Sequence, residues 1–201
     1  MEYINSLPLD ILEIDINGIH LSTLPNLSIF TNLQKLNCSK NQLTEINNLP
    51  ISLKILFCND NNLTQLDNLP SSLQELYCSN NKITQLNILP SSLHKLDCSC
   101  NRLIQLDNLP SHLQELDCSC NRLTQLDNLP SHLQELDCSN NQLIRLDKLP
   151  FSLQKLNCLN NKMENNDLEY WKERTKNKKL KLLKKKINVR KIQRIWRKYR
   201  C

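Results

Sequence analysis

Apolar positions in this chain fall on a twenty-residue grid. Leu109-Pro110-Ser111-His112-Leu113-Gln114-Glu115-Leu116-Asp117-Cys118 is followed at that spacing by Leu129-Pro130-Ser131-His132-Leu133-Gln134-Glu135-Leu136-Asp137-Cys138. Prolines recur at Pro50, Pro70, Pro90, Pro110, Pro130 and Pro150, and asparagines at Asn41, Asn61, Asn81, Asn101, Asn121, Asn141 and Asn161. Cysteines recur at Cys38, Cys58, Cys78, Cys98, Cys118, Cys138 and Cys158. The alternation in Leu116-Asp117-Cys118 predicts a strand with Leu116 and Cys118 inward and Asp117 outward. Inward pairs run from Ile14/Ile16 and Leu36/Cys38 to Leu156/Cys158, which predicts eight strands and eight coils. Twenty residues leave no room for a full return helix. The convex side is therefore expected to be extended with short turns, and each Leu-Pro suits a polyproline-like path.

One such coil cannot bury its own apolar face, and stacking makes the core continuous. The Asn after each strand is expected to turn the chain and to bond the backbone of the neighbouring coil through its amide. The first coil departs from the grid, with Ile19 where Asn is expected, as a capping coil does. Leu7-Pro8-Leu9-Asp10-Ile11-Leu12 carries some likeness to the start of an F-box, but it aligns in register with the later Leu-Pro coils and reads as the cap. At the other end Met163 takes the last Leu slot. Asn166 with Glu169 then forms a capping-box arrangement for a helix whose Leu168 and Trp171 share one face and close the core.

Written as L-x-x-L-x-C-x-x-N-x-L over roughly residues 7–163, this pattern resembles the leucine-rich repeat. Its short period and Leu-Pro resemble the bacterial-effector type. Its Cys-Ser-Asn-Asn-x-Leu wording and basic tail resemble giant-virus (mimivirus-type) proteins. The resemblance implies a solenoid with a parallel β-sheet on the concave face, an extended convex side, and a binding role. The expected organisation is a capping coil over 1–28, repeats over 29–163, and a cap with a basic helical tail over 164–201.

Composition narrows the function. There is one glycine, Gly18, and no alanine, so no glycine cluster exists to cradle a nucleotide phosphate. No apolar run is long enough to span a bilayer. Glu2 stands where a signal peptide needs positive charge, so an intracellular protein is expected, in host cytoplasm if viral. Ten cysteines in that setting read as reduced thiols. The net charge of +6 divides unequally. Residues 1–161 hold ten Lys/Arg and sixteen Asp/Glu, while residues 162–201 hold sixteen Lys/Arg and four acids.

Candidate chemistry is sparse. The cysteine column packs as small apolar side chains in a narrow core. Cys98-Ser99-Cys100 and Cys118-Ser119-Cys120 set two C-x-C pairs one coil apart. Zinc needs four converging sulfurs, whereas Cys98 and Cys118 are expected to point into the core and Cys100 and Cys120 to sit at a strand-end turn. Whether Cys100 and Cys120 pair or bind metal is left open by the sequence. His112 and His132 precede their strands at the opposite end. No nucleophile–base set converges, so neither an enzyme nor a cofactor is expected. Some effectors with similar repeats add a ubiquitin-ligase domain, for which the forty or so residues after the repeats are too few.

What remains is surface. Outward strand positions form two concave columns: Glu13, Lys35, Ile55, Glu75, Lys95, Glu115, Glu135, Lys155, and Asp15, Asn37, Phe57, Tyr77, Asp97, Asp117, Asp137, Asn157. Ile55, Phe57 and Tyr77 should form an exposed apolar-aromatic cluster. Beside it Asp97, Asp117, Asp137, Glu115 and Glu135 make an acidic strip, although coils 89–108, 109–128 and 129–148 are near-copies and the strip can simply record duplication. A monomer is expected, binding a protein with an apolar knob and a basic flank. In the tail, Leu182, Val189, Ile192, Trp196 and Tyr199 are spaced for a basic amphipathic helix. Ile192-Gln193 with Arg197 resembles the start of an IQ motif, which implies a calmodulin-like partner, though Lys198 replaces the usual Gly. Nucleic acid, an anionic membrane surface, plain solvation, or the chain's own acidic face are the other readings of this tail.

Overall fold

A computed structural model describes Ile4, residues 6–146 and 148–163, and Tyr170, Trp171, Glu173 and Lys176. Eight three-residue strands, β1 (Glu13–Asp15), β2 (Lys35–Asn37), β3 (Ile55–Phe57), β4 (Glu75–Tyr77), β5 (Lys95–Asp97), β6 (Glu115–Asp117), β7 (Glu135–Asp137) and β8 (Lys155–Asn157), form one sheet in sequence order. All neighbours are parallel and in register, with Leu36 opposite Leu56 and Leu56 opposite Leu76. These are the eight strands that the inward pairs mark out. No helix lies on the convex side among the described residues.

Each coil sends the same side chains inward. In the fourth coil Leu73, Leu76, Cys78 and Ile83 are fully buried and Leu86 nearly so, and equivalent positions repeat along the stack in one continuous core. Phe30 fills the inner end near the start, while Met163 and Trp171 are buried at the other end. Trp171 belongs to the buried core cluster. Asn166, Leu168 and Glu169, and all but Lys176 of the basic helix expected over residues 176–200, lie outside the described residues.

Three polar devices hold the coils together. The Asn81 amide donates to the carbonyls of Cys58, Cys78 and Ser79 at 3.0, 3.1 and 3.2 Å, while its Oδ1 accepts the N–H of Leu63 at 2.9 Å. The same four bonds recur at Asn61, Asn101, Asn121 and Asn141, so every coil is tied to the one before it through buried peptide groups. A second ladder was not foreseen from sequence. Ser52, Ser72, Ser92 and Ser152 each donate to a carbonyl of the previous coil, Ser72 to Leu53 at 2.7 Å. His112 and His132 replace the serine in this series; His132 Nδ1 still meets the Ser111 carbonyl of the previous coil at 3.2 Å, and the two rings lie tilted by 39° with centroids 5.4 Å apart. In the third device, buried thiols donate to the next coil, Cys38 to the Phe57 carbonyl at 3.3 Å.

One expectation shifts by a residue. The ladder asparagine does not itself turn the chain. The preceding residue does, in the left-handed region: Lys40, Asp60, Asn80, Cys100, Cys120, Asn140 and Asn160, with Gly18 in the first coil at φ 70°. Asn48, Asn68, Asn108 and Asn128 make a second left-handed turn on the convex side. Ile88 occupies that slot in its coil and does not adopt it, because a β-branched side chain clashes there. Ile19 lies exposed in the first coil. Among the described residues Asn41 serves as the first rung, donating to Ile16 and accepting from Leu21.

Candidate functional site

The strand register sets out the concave face. Lys35, Ile55, Glu75, Lys95, Glu115, Glu135 and Lys155 form one column, and Asn37, Phe57, Tyr77, Asp97, Asp117, Asp137 and Asn157 the other. Side chains two apart on a strand share a face, so Ile55 and Phe57 lie together.

Phe57 and Tyr77 stack nearly parallel, with centroids 4.5 Å apart and planes 9° from one another. In-register parallel strands hold successive side chains about 4.8 Å apart, which is stacking distance. Two lysines flank the pair: Lys35 Nζ lies 5.9 Å from the Phe57 centroid and Lys95 Nζ 5.6 Å from that of Tyr77. This cation–ring–ring–cation row runs along four successive strands and was not recognised from sequence, although all four residues were already placed in their columns. Tyr77 Oη donates to Glu75 Oε2 at 2.8 Å. Desolvation and then that bond raise the Tyr77 phenol above its ordinary value.

The acidic strip resolves into two unlike columns. Glu115 pairs with Lys95 at 2.7 Å and Glu135 with Lys155 at 2.6 Å. The adjacent glutamates therefore each find a cation on their outer side, and this column balances itself. Lys95 is raised above the ordinary lysine value chiefly by its bond to Glu115, and Lys155 chiefly by its bond to Glu135. The net negative charge rests on Asp97, Asp117 and Asp137. Each turns one oxygen to the residue two ahead: Ser99 N–H at 3.0 Å, Ser119 N–H at 2.9 Å and Ser139 N–H at 2.9 Å. Asp117, in the middle, is raised above the ordinary carboxylate value by desolvation, with Asp97 and Asp137 adding to it against the Ser119 bonds.

These residues line a shallow groove of about 350 Å³, floored by Leu96, Leu116 and Leu136 and walled by the two columns. It is adjacent to the aromatic stack. All eight proposed contact residues, Ile55, Phe57, Tyr77, Asp97, Glu115, Asp117, Glu135 and Asp137, are thus on one face. The tail positions Ile192, Gln193, Trp196 and Arg197 lie outside the described residues. Among the described residues no group of three or more His, Cys, Asp or Glu could hold a metal ion, and no helix is long and apolar enough to cross a membrane.

Comparison with known proteins agrees with this geometry. The Leucine Rich Repeat family model matches residues 72–96 and 132–156. No curated protein matches the chain. Among solved structures, YopM from Yersinia enterocolitica WA-314 is 35% identical with a TM-score of 0.75, over 79% of this chain and 35% of that one. A Shigella effector LRR domain is 29% identical with a TM-score of 0.67, over 81% of this chain and 73% of its own. The functional domain of InlJ from Listeria monocytogenes, described as including a cysteine ladder, is 33% identical with a TM-score of 0.72, over 82% of this chain and 39% of that one. This chain therefore spans about a third of the YopM chain. The likeness to giant-virus proteins finds no support in these comparisons. The chain carries leucine-rich repeats of about twenty residues that resemble those of bacterial effectors.

Proposed function

We propose that the protein is a non-enzymatic interaction module that binds a protein partner on its concave face. The leucine-rich-repeat fold typically serves protein–protein contact. The observation that carries the reading is the Phe57–Tyr77 stack lying beside a groove whose unbalanced charge comes from three aspartates. Aromatic side chains in a solvent-facing cluster are typical anchors of binding energy. A partner presenting an apolar side chain to Ile55, Phe57 and Tyr77, and a basic one to Asp97, Asp117 and Asp137, complements both halves. The sheet is preformed and its columns are fixed by backbone register, so little ordering entropy opposes binding.

A second reading assigns the binding role to the basic tail, on the strength of sixteen Lys/Arg against four acids in residues 162–201. Its partner is then nucleic acid or a calmodulin-like protein. Affinity capture with the full chain, with a chain lacking residues 176–201, and with Phe57→Ser/Tyr77→Ser separates the two. A concave-face partner survives the truncation and is lost with the double substitution. A truncated chain that retains no partner at all overturns the first reading.

A further inference from the structure

Cys100 and Cys120 stand apart from the other described thiols. The seven cysteines of the column are buried, whereas these two are exposed. Desolvation pushes the Cys38 thiol up to about 12 and drives Cys58, Cys78, Cys98, Cys118 and Cys138 well above their ordinary value. The buried column is held as neutral thiol, out of reach of reagents.

The two exposed thiols occupy the same turn position in successive coils, at φ 51° and 53°. The parallel register that pairs Asp97 with Asp117 continues through them. The Cys100 N–H donates to the Ser119 carbonyl at 2.9 Å, and the Cys120 N–H to the Ser139 carbonyl at 3.0 Å. Their Cα atoms are therefore about one strand spacing apart, ~4.8 Å, within the roughly 4.4–6.8 Å that a disulfide bridges. In this register the two side chains are neighbours. Desolvation, and then a hydrogen bond to Cys120, raise the Cys100 thiol to about 11. Each thiol directly follows the serine that bonds an aspartate of the groove, Ser99 to Asp97 and Ser119 to Asp117.

We propose that Cys100 and Cys120 are a reversible thiol-modification site, closing to a disulfide between the fifth and sixth coils by exchange with a low-molecular-weight disulfide such as glutathione disulfide. The step is the same with the two roles exchanged; Cys120 is taken as the first nucleophile. Its sulfur, deprotonated to solvent, attacks one reagent sulfur; the new S–S bond forms, the reagent's own S–S bond breaks, and the departing thiolate takes a proton. Cys100 then loses its proton and attacks the Cys120 sulfur, displacing the second reagent thiol. The protein loses two hydrogen atoms, and the reagent is reduced to two thiols. Matching turn conformations leave the two Cα–Cβ bonds nearly parallel, which a relaxed disulfide does not favour. The closed form is consequently strained and easily reduced, as labile regulatory disulfides are.

The test uses the folded chain carrying Cys201→Ser, incubated with glutathione disulfide, with accessible thiols titrated and the intact mass measured. Asn80 and Asn140 hold the same turn at φ 52° and 54°, so Cys100→Asn and Cys120→Asn are compatible with the fold. The expected result is loss of both accessible thiols and of two hydrogens in mass, reversed by a mild monothiol. Each single Asn variant should instead retain one stable glutathione adduct. Two stable adducts on the chain with both thiols, or disulfide-linked dimers in place of the internal bond, overturn the proposal.

Discussion

The side-chain amide of Asn101 donates to the carbonyl of Cys78, twenty-three residues earlier and one coil back, at 3.0 Å. The same buried side chain also reaches Cys98 and Ser99, and its oxygen accepts the N–H of Ile83. Asn101→Ala leaves the Ile83 N–H buried without an acceptor and removes three donor contacts. An unmet buried group costs about 1–3 kcal/mol, so a loss near 3 kcal/mol is expected for the whole set. Chemical denaturation of Asn101→Ala beside Asn161→Ala measures it. The second change should cost less, because Asn161 at the end of the stack is only partly buried.

Lys40 holds φ 53° in the slot that Gly18 fills in the first coil. A left-handed conformation costs an L-residue with a Cβ roughly 1–2 kcal/mol. Lys40→Gly should therefore raise stability by about 0.5–1 kcal/mol, the remainder being offset by the greater freedom of glycine in the unfolded chain. A melting temperature that falls on this substitution would contradict the assignment.

Asn108 and Ile88 test the convex turn in the same way. Asn108→Ile asks a β-branched residue to take φ 56°, and an exposed site offers no packing in return. A loss of about 1 kcal/mol is expected, smaller than a full left-handed penalty because the coil containing Ile88 already shows a non-left-handed route. Ile88→Asn should be neutral within about 0.5 kcal/mol. Paired denaturation curves decide both.

Asp117 gives stability a pH dependence of unusual sign. Its folded-state value is raised above the ordinary 3.8, first by desolvation and further by its aspartate neighbours. Between the unfolded and the raised folded value the native state binds more protons than the unfolded state, so stability falls as pH rises through that interval. Asp117→Asn should therefore stabilise the protein at neutral pH, with the advantage vanishing well below pH 4. The group is half exposed, and solvent screening holds the effect to about 0.5 kcal/mol. Asn is tolerated in this column, since Asn37 accepts the N–H of Ser39 as Asp117 does that of Ser119. Melting curves for both chains from acid to neutral pH provide the measurement.

The sheet was legible because every inward position repeats with one residue type, and Leu56, Leu76 and Leu96 need only a count of twenty. The concave columns followed by alternation from that count. The ion pairs were less visible: Lys95 and Glu115 are far apart in sequence, and their meeting depends on which strand lies on which side. Left-handed turns escaped notice because Lys40, Asp60, Asn80 and Cys100 share a backbone angle and no side-chain chemistry. The serine ladder was obscured by His112 and His132, which occupy its slots in the two coils that most clearly display the repeat.

Asn101, Asn121 and Asn141 tie near-copies of one coil through identical bonds, so a neighbouring coil cannot distinguish them. Excising residues 109–128 would join Asn108 to Leu129 as it is now joined to Leu109, with each asparagine-ladder and backbone bond finding an equivalent partner. The molecule is thereby extensible in whole units. Its reach, the length of its aspartate row and the size of the partner it can span all change together in steps of one strand spacing, about 4.8 Å, and no step demands redesign elsewhere.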